Sequence, residues 1–128
     1  MSGLRRVMCV EDDADIRTIL ELSLGTVGGF SVRCCADGRE ALAAVPGFRP
    51  ELVLLDVMMP GLSGPETMAL LRELPEMHGV PVVFLTAKAM PDELEQLLQL
   101  GATGLIVKPF DPMTLATDML PYWEHGRG

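Results

Sequence analysis

Pro50-Glu51-Leu52-Val53-Leu54-Leu55-Asp56 is an apolar run that ends on a carboxylate and leads into the turn-prone Met59-Pro60-Gly61. A short apolar run bounded by turn formers reads as a strand buried on both faces. In open α/β sheets the carboxyl ends of such strands are where ligands are met. Three further runs end on chemistry of their own. Arg5 to Val10 is followed by Glu11 and Asp12, Val82-Val83-Phe84-Leu85 by Thr86, and Leu105-Ile106-Val107 by Lys108. In a parallel sheet these acids, the hydroxyl and the amine converge on one edge. That set suits Mg²⁺-assisted phosphoryl transfer to Asp56.

Working outward, apolar runs alternate with helical patterns five times, without repeat or low-complexity linker. The alternation predicts a (βα)5 doubly wound, five-stranded parallel sheet covered on both faces. A first helix is expected from Ala14 to Val27, capped by Asp13 and stopped by Gly28-Gly29. Phe30 to Ala36 reads as the second strand. Asp37-Gly38-Arg39-Glu40 has capping-box spacing and opens a short helix ending near Pro46, and Ser63-Gly64-Pro65-Glu66 repeats the device for a third helix to about Leu74. Pro91 opens a fourth, with Leu94, Leu97 and Leu98 as an inward stripe and Gly101 as its end. Asp111-Pro112 opens a fifth, expected to finish near Pro121. One domain over 1–128 is expected, with a core of about 5–120 and a short tail 121–128. Tyr122 and Trp123 either pack back on the domain or, if exposed, form a docking patch.

Composition narrows the function. The net charge is −8, and only 10 Lys and Arg are spread over 128 residues, which argues against an intrinsic nucleic-acid surface. No window approaches the ~20 apolar residues of a membrane span, and Met1 to Arg6 lacks a signal peptide's apolar stretch. A cytoplasmic protein without membrane contact is therefore expected. Cys9, Cys34 and Cys35 are odd in number, lack Cys-x-x-Cys spacing and fall in strand-like runs, so they read as reduced, buried small hydrophobes. His78 and His125 read as solvated, having no second ligand at useful spacing. Most of the nine methionines read as core or loop filler, with Met58 and Met59 near the site.

The chemistry at the strand ends sets requirements. An anionic nucleophile attacks an anionic phosphoryl group only if charge is neutralised, which a metal and a cation do. Mg²⁺ takes oxygen ligands and keeps waters. Asp12 and Asp56 are the expected direct ligands, with Glu11 through water and the Met58 carbonyl completing the protein side. Lys108 supplies a point charge and Thr86 a donor to the phosphoryl oxygens.

These motifs together resemble the receiver domain of two-component response regulators, from residue 5 to about 120. The likeness runs through Val10-Glu11-Asp12-Asp13, Gly29-Phe30-Ser31-Val32, Ala36 to Leu42, Arg49 to Gly61, Leu85-Thr86-Ala87, Gly101-Ala102 and Lys108-Pro109-Phe110. The resemblance implies a flavodoxin-like sheet of order 2-1-3-4-5. It also implies that Asp56 accepts phosphate from a phosphohistidine on a sensor histidine kinase or histidine phosphotransfer protein. Glu11 and Asp12 would be the acid pair, Thr86 the switch hydroxyl and Lys108 the phosphate-pairing amine, with Lys108–Pro109 cis. It implies a switch, not a turnover enzyme, reporting to a downstream protein through the face of the fourth helix, fifth strand and fifth helix, as a monomer or weak dimer. Met58 and Lys88 occupy positions that tune phosphate lifetime in the family. Leu105 stands where the family carries Tyr or Phe.

Other readings are weaker on the residues. A haloacid-dehalogenase-type phosphatase wants an Asp two residues beyond the nucleophile, where this chain has Met58. A flavodoxin-like flavin carrier offers Ser, Thr and Gly where this chain has Glu11-Asp12-Asp13. A phosphorylation-independent scaffold and a receiver excised from a hybrid histidine kinase are the remaining alternatives.

Overall fold

Four apolar segments, each closed by a polar residue, and the more mixed Ser31–Cys35 form the five strands of the computed structural model, which describes residues 3–87 and 90–126. The strands are β1 (Arg6–Val10), β2 (Ser31–Cys35), β3 (Leu52–Asp56), β4 (Val82–Thr86) and β5 (Gly104–Val107). All pair in parallel in the order 2-1-3-4-5, as expected. The register sets Val10 beside Leu55, Asp56 beside Leu85 and Thr86 beside Val107, so the strand ends align across the sheet.

Two apolar layers flank the sheet. On one face Met8, Val10, Val53, Leu55 and Phe84 pack with Ala41 and Val45 of α2 (Gly38–Phe48) and Met68 and Leu71 of α3 (Gly64–Leu71). On the other, Val7, Cys9, Leu52, Leu54 and Leu85 pack with Leu20 of α1 (Ala14–Leu20) and Leu115, Met119 and Trp123 of α5 (Leu115–Gly126). The alternation of side chains along a strand sorts residues to these layers. Glu11, Asp56 and Lys108 share the alternation of the α1/α5 face; Thr86 and Leu105 share that of the α3 face.

Several elements differ from their expected form. The first helix covers 14–27, but from Glu21 to Val27 it is wound as a π-helix, ending before Gly29 at φ +78°. α2 passes through Pro46 to Phe48 because a proline in the last turn removes only one backbone bond. Its box is offset: Asp37 accepts from the Glu40 N–H, while the Glu40 carboxylate accepts from Ala36. At Ser63 and Glu66 both bonds are made. α3 stops at Leu71, and a 3₁₀ turn, Pro75–Met77, follows.

α4 (Pro91–Gln99) has the expected start and ends before Gly101 at φ +108°, but it buries no residue completely. Leu97 leans on the α3-side layer, whereas Leu98 is 44% exposed, so the stripe is narrower than its spacing suggested. α5 begins at Leu115 after a turn held by Asp111, and it continues through Pro121 because Trp123, 2% exposed, is buried in the core. The expected tail is thus largely helix, and the aromatic pair packs back on the domain, Tyr122 donating to the Leu105 carbonyl. No described helix is long and apolar enough to cross a membrane.

Candidate functional site

β1 and β3, neighbours at the middle of the sheet, deliver Glu11 and Asp56 to the same edge. Asp12 is the first exposed residue beyond β1, and one oxygen from each of Glu11, Asp12 and Asp56 lies within 4.8 Å of the others. Glu11 and Asp56 are buried, at 1% and 3% exposure. Lys108, arriving from β5, donates to Glu11 Oε1 at 2.6 Å and Asp56 Oδ1 at 3.1 Å. The Lys108–Pro109 bond is cis.

The electrostatics follow from burial. Loss of water is the largest effect on Glu11, and with repulsion from Asp56 it pushes the carboxyl up to about 7 despite the Lys108 bond and the Asp13 N–H. Burial alone would lower Lys108, but its bonds to Glu11 and Asp56 outweigh that and hold the ammonium above its ordinary value. One partly buried cation thus faces two buried acids, and Asp12 beside them is exposed to solvent. A hard dication fits such a set, since all three donors are carboxylate oxygens and the cluster carries more negative than positive charge.

The loop carrying these acids is braced. Asp13 caps α1, accepting from the N–H groups of Asp15 and Ile16. One α1 turn on, the Arg17 guanidinium donates to the carbonyls of Glu11 and Asp12 at 2.8 and 2.9 Å. Arg17 is the site residue that sequence reading missed. Its signal was a lone cation on the first turns of a helix that starts beside an acid cluster. The amide of Glu11 in turn donates to the Cys35 carbonyl, tying the loop to β2.

The other expected site residues stand at the rim. Thr86 is buried at the end of β4, and Lys108 N–H donates to its carbonyl, joining the β4 and β5 ends. Thr86, Val57 and Met58 line a cleft of about 320 Å³ closed by Glu93, Gln96, Leu97 and Leu100. The Met58 side chain is 68% exposed. Leu105 is partly buried and packs on the α3-side layer. Lys88 lies outside the described residues, as does the side chain of His125. His78 is exposed, in keeping with a loop histidine. A second groove, about 400 Å³, opens beside Lys108 between Ile16 and Ile19 of α1 and Ala87, Pro109, Phe110 and Pro112.

Comparison with known proteins places this geometry. The profile of the response regulator receiver domain matches residues 7–119. The DNA-binding response regulator MtrA of Mycolicibacterium paratuberculosis is 40% identical over 111 residues, covering 87% of this chain and 48% of MtrA. The probable transcriptional regulator ycf27 of Porphyridium aerugineum is 40% identical over 110 residues, 86% of this chain and 44% of its own length. The chain spans about half the length of the curated relatives it matches. Among solved structures, the chemotaxis protein CheY4 of Vibrio cholerae superposes with a TM-score of 0.86 at 32% identity, covering 94% of this chain and 99% of CheY4. The receiver domain of the Pseudomonas aeruginosa sensor histidine kinase PA1611, whose structure has a magnesium ion coordinated in the active-site cleft, superposes with a TM-score of 0.81 at 29% identity, covering 94% and 98%.

Proposed function

The chain belongs to the response regulator receiver domain family, and on that premise we propose that Asp56 accepts a phosphoryl group from a phosphohistidine in a Mg²⁺-dependent step. The observation that carries the proposal is the meeting of Glu11, Asp12 and Asp56 within 4.8 Å, with the Lys108 amine 3.1 Å from Asp56. A carboxylate oxygen of Asp56 forms the new bond to phosphorus as the phosphorus–nitrogen bond to imidazole breaks. Glu11, Asp12, Asp56 and the Met58 carbonyl would hold the metal, which when bound neutralises charge on the phosphoryl oxygens. The magnesium in the PA1611 receiver, a relative in fold at 29% identity, supports that choice of ion. Lys108, released in part from Glu11, follows the new charge on Asp56, and the Thr86 hydroxyl donates to a phosphoryl oxygen. The chain is a switch that catalyses only its own phosphorylation and slow dephosphorylation.

The partners follow from the same site. The donor is a sensor histidine kinase or a histidine phosphotransfer protein, and the apolar groove between α1 and Pro109-Phe110, beside Lys108, offers it a seat. The output is a protein bound at the face of α4, β5 and α5, where Met90, Leu98, Leu100 and Val107 are exposed. Direct DNA binding of the kind named for MtrA is not carried over, because only half of that protein is matched.

The test is incubation with acetyl phosphate or phosphoramidate and Mg²⁺, followed by mass spectrometry. One phosphoryl group on Asp56, absent in Asp56→Asn and lost with chelator, is expected. Undiminished labelling of Asp56→Asn, or labelling indifferent to chelator, refutes the proposal.

A further inference from the structure

Away from the acid cluster, β1 and β2 bring two thiols side by side. Cys9 and Cys34 are direct register partners on adjacent parallel strands. Both belong to the α1/α5 layer, whereas Cys35 turns to the opposite face and is buried among the α3-side residues. All three are free thiols. Adjacent strands run about 4.7–4.9 Å apart, inside the roughly 4.4–6.8 Å spacing of Cα atoms that a disulfide spans. The shared register and the shared face set the two thiol side chains next to each other. Cys34 Sγ also lies 3.8 Å from the Arg17 carbonyl.

Access to the pair is unequal. Cys9 has no exposed surface, while Cys34, on the edge strand, is half-buried. We propose that Cys9 and Cys34 form a redox-active dithiol that hydroperoxides convert to a disulfide across β1 and β2, with Cys34 attacked first and Cys9 resolving. This goes beyond the phosphoacceptor reading and does not depend on it. In the first step the Cys34 sulfur bonds to one peroxide oxygen, the oxygen–oxygen bond breaks and an alcohol or water leaves with the thiol's proton. Cys34 is then a sulfenic acid. In the second, the Cys9 sulfur bonds to Cys34 Sγ, the sulfur–oxygen bond breaks, and hydroxide leaves as water with the Cys9 proton. Two electrons pass from the thiols to the peroxide. Cys35 takes no part, because its side chain lies across the sheet.

The test treats the full chain with hydrogen peroxide under native conditions, then counts thiols after unfolding and maps peptides. Cleavage after Arg6, Arg17, Arg33 and Arg39 leaves Cys9 in one peptide and Cys34 with Cys35 in another. The expected result is a monomer lighter by two hydrogens with one free thiol remaining, its two peptides cross-linked and fragmentation placing the bond at Cys34. Cys35→Ser should keep the cross-link and Cys34→Ser should lose it. Three thiols persisting, oxygen added to Cys34 without a cross-link, a bond through Cys35, or linkage between chains would each overturn the proposal. Because fragmentation of the parent chain locates the bond by itself, a variant that fails to fold leaves the test intact.

Discussion

Glu11 is the least exposed charged side chain among the described residues, and the consequences are measurable without any partner. In the folded chain its carboxyl is held at about 7 against an ordinary 4.5, so between those values the folded state binds more protons than the unfolded one. Stability of the metal-free protein should therefore fall as pH rises through that window, by at most about 3 kcal/mol from this group. Thermal melting in chelator from pH 5 to 8 measures the slope, and Glu11→Gln should flatten it. An unchanged slope in that variant assigns the effect elsewhere. Mg²⁺ competes with the same proton, so its affinity should strengthen over the same range. Like-charge crowding makes a companion prediction: in chelator, Asp12→Ala and Asp56→Asn should melt above the parent, and saturating Mg²⁺ at about 100 times its dissociation constant should raise the parent by about 2.7 kcal/mol. Lower melting for both variants in chelator would contradict the repulsion. Asp56, Glu11 and Lys108 were legible because each closes or directly follows an apolar run, and Asp12 because it stands next to Glu11. The Lys108–Glu11 bond and the Arg17 brace were not, since both join residues whose approach only the folded chain decides.

At the scale of elements, α3 reaches the site through its backbone. A methyl group at Gly64 would run into the carbonyl oxygen of Asp56 and come within 2.8 Å of the Val57 Cα. The Gly64 N–H also donates to the Val57 carbonyl at 2.9 Å, so the helix start is fixed against the end of β3 and cannot back away. Gly64→Ala is expected to cost about 1–3 kcal/mol and to displace the loop carrying Met58. Chemical denaturation measures the first, and the phosphorylation rate with acetyl phosphate the second. Parent-like values of both would show that the loop yields freely. α4 lies at the other extreme. With no residue fully buried, it should be the helix whose amides exchange fastest with solvent, and exchange as slow as that of α3 would overturn that ranking. Strands and the first four helix starts were readable because caps and prolines act locally, whereas α5 begins only at Leu115, after the turn at Asp111-Pro112. The ends of α2 and α5 were not, since whether a helix crosses Pro46 or Pro121 depends on what its far side buries, as Trp123 illustrates.

Across the whole molecule, the sheet separates two sets of residues. Glu11, Asp56 and Lys108 follow the alternation of one face, Thr86 and Leu105 that of the other, and Lys108 N–H joins the two sets by donating to the Thr86 carbonyl. On phosphorylation or beryllofluoride binding, amide shifts are expected at residues 86 to 91 and 104 to 108, with the Leu105 side chain keeping its inward rotamer. A large Leu105 rotamer change, or shifts confined to α1, would count against that route. The stability effects of Leu105→Ala and Lys108→Ala should add to within about 0.5 kcal/mol when combined, as for sites that share no partners. Such a partition lets the two faces drift apart in sequence. A substitution on the face of Thr86 and Leu105 can therefore change what that side of the sheet presents while leaving every side chain of the acid cluster in place.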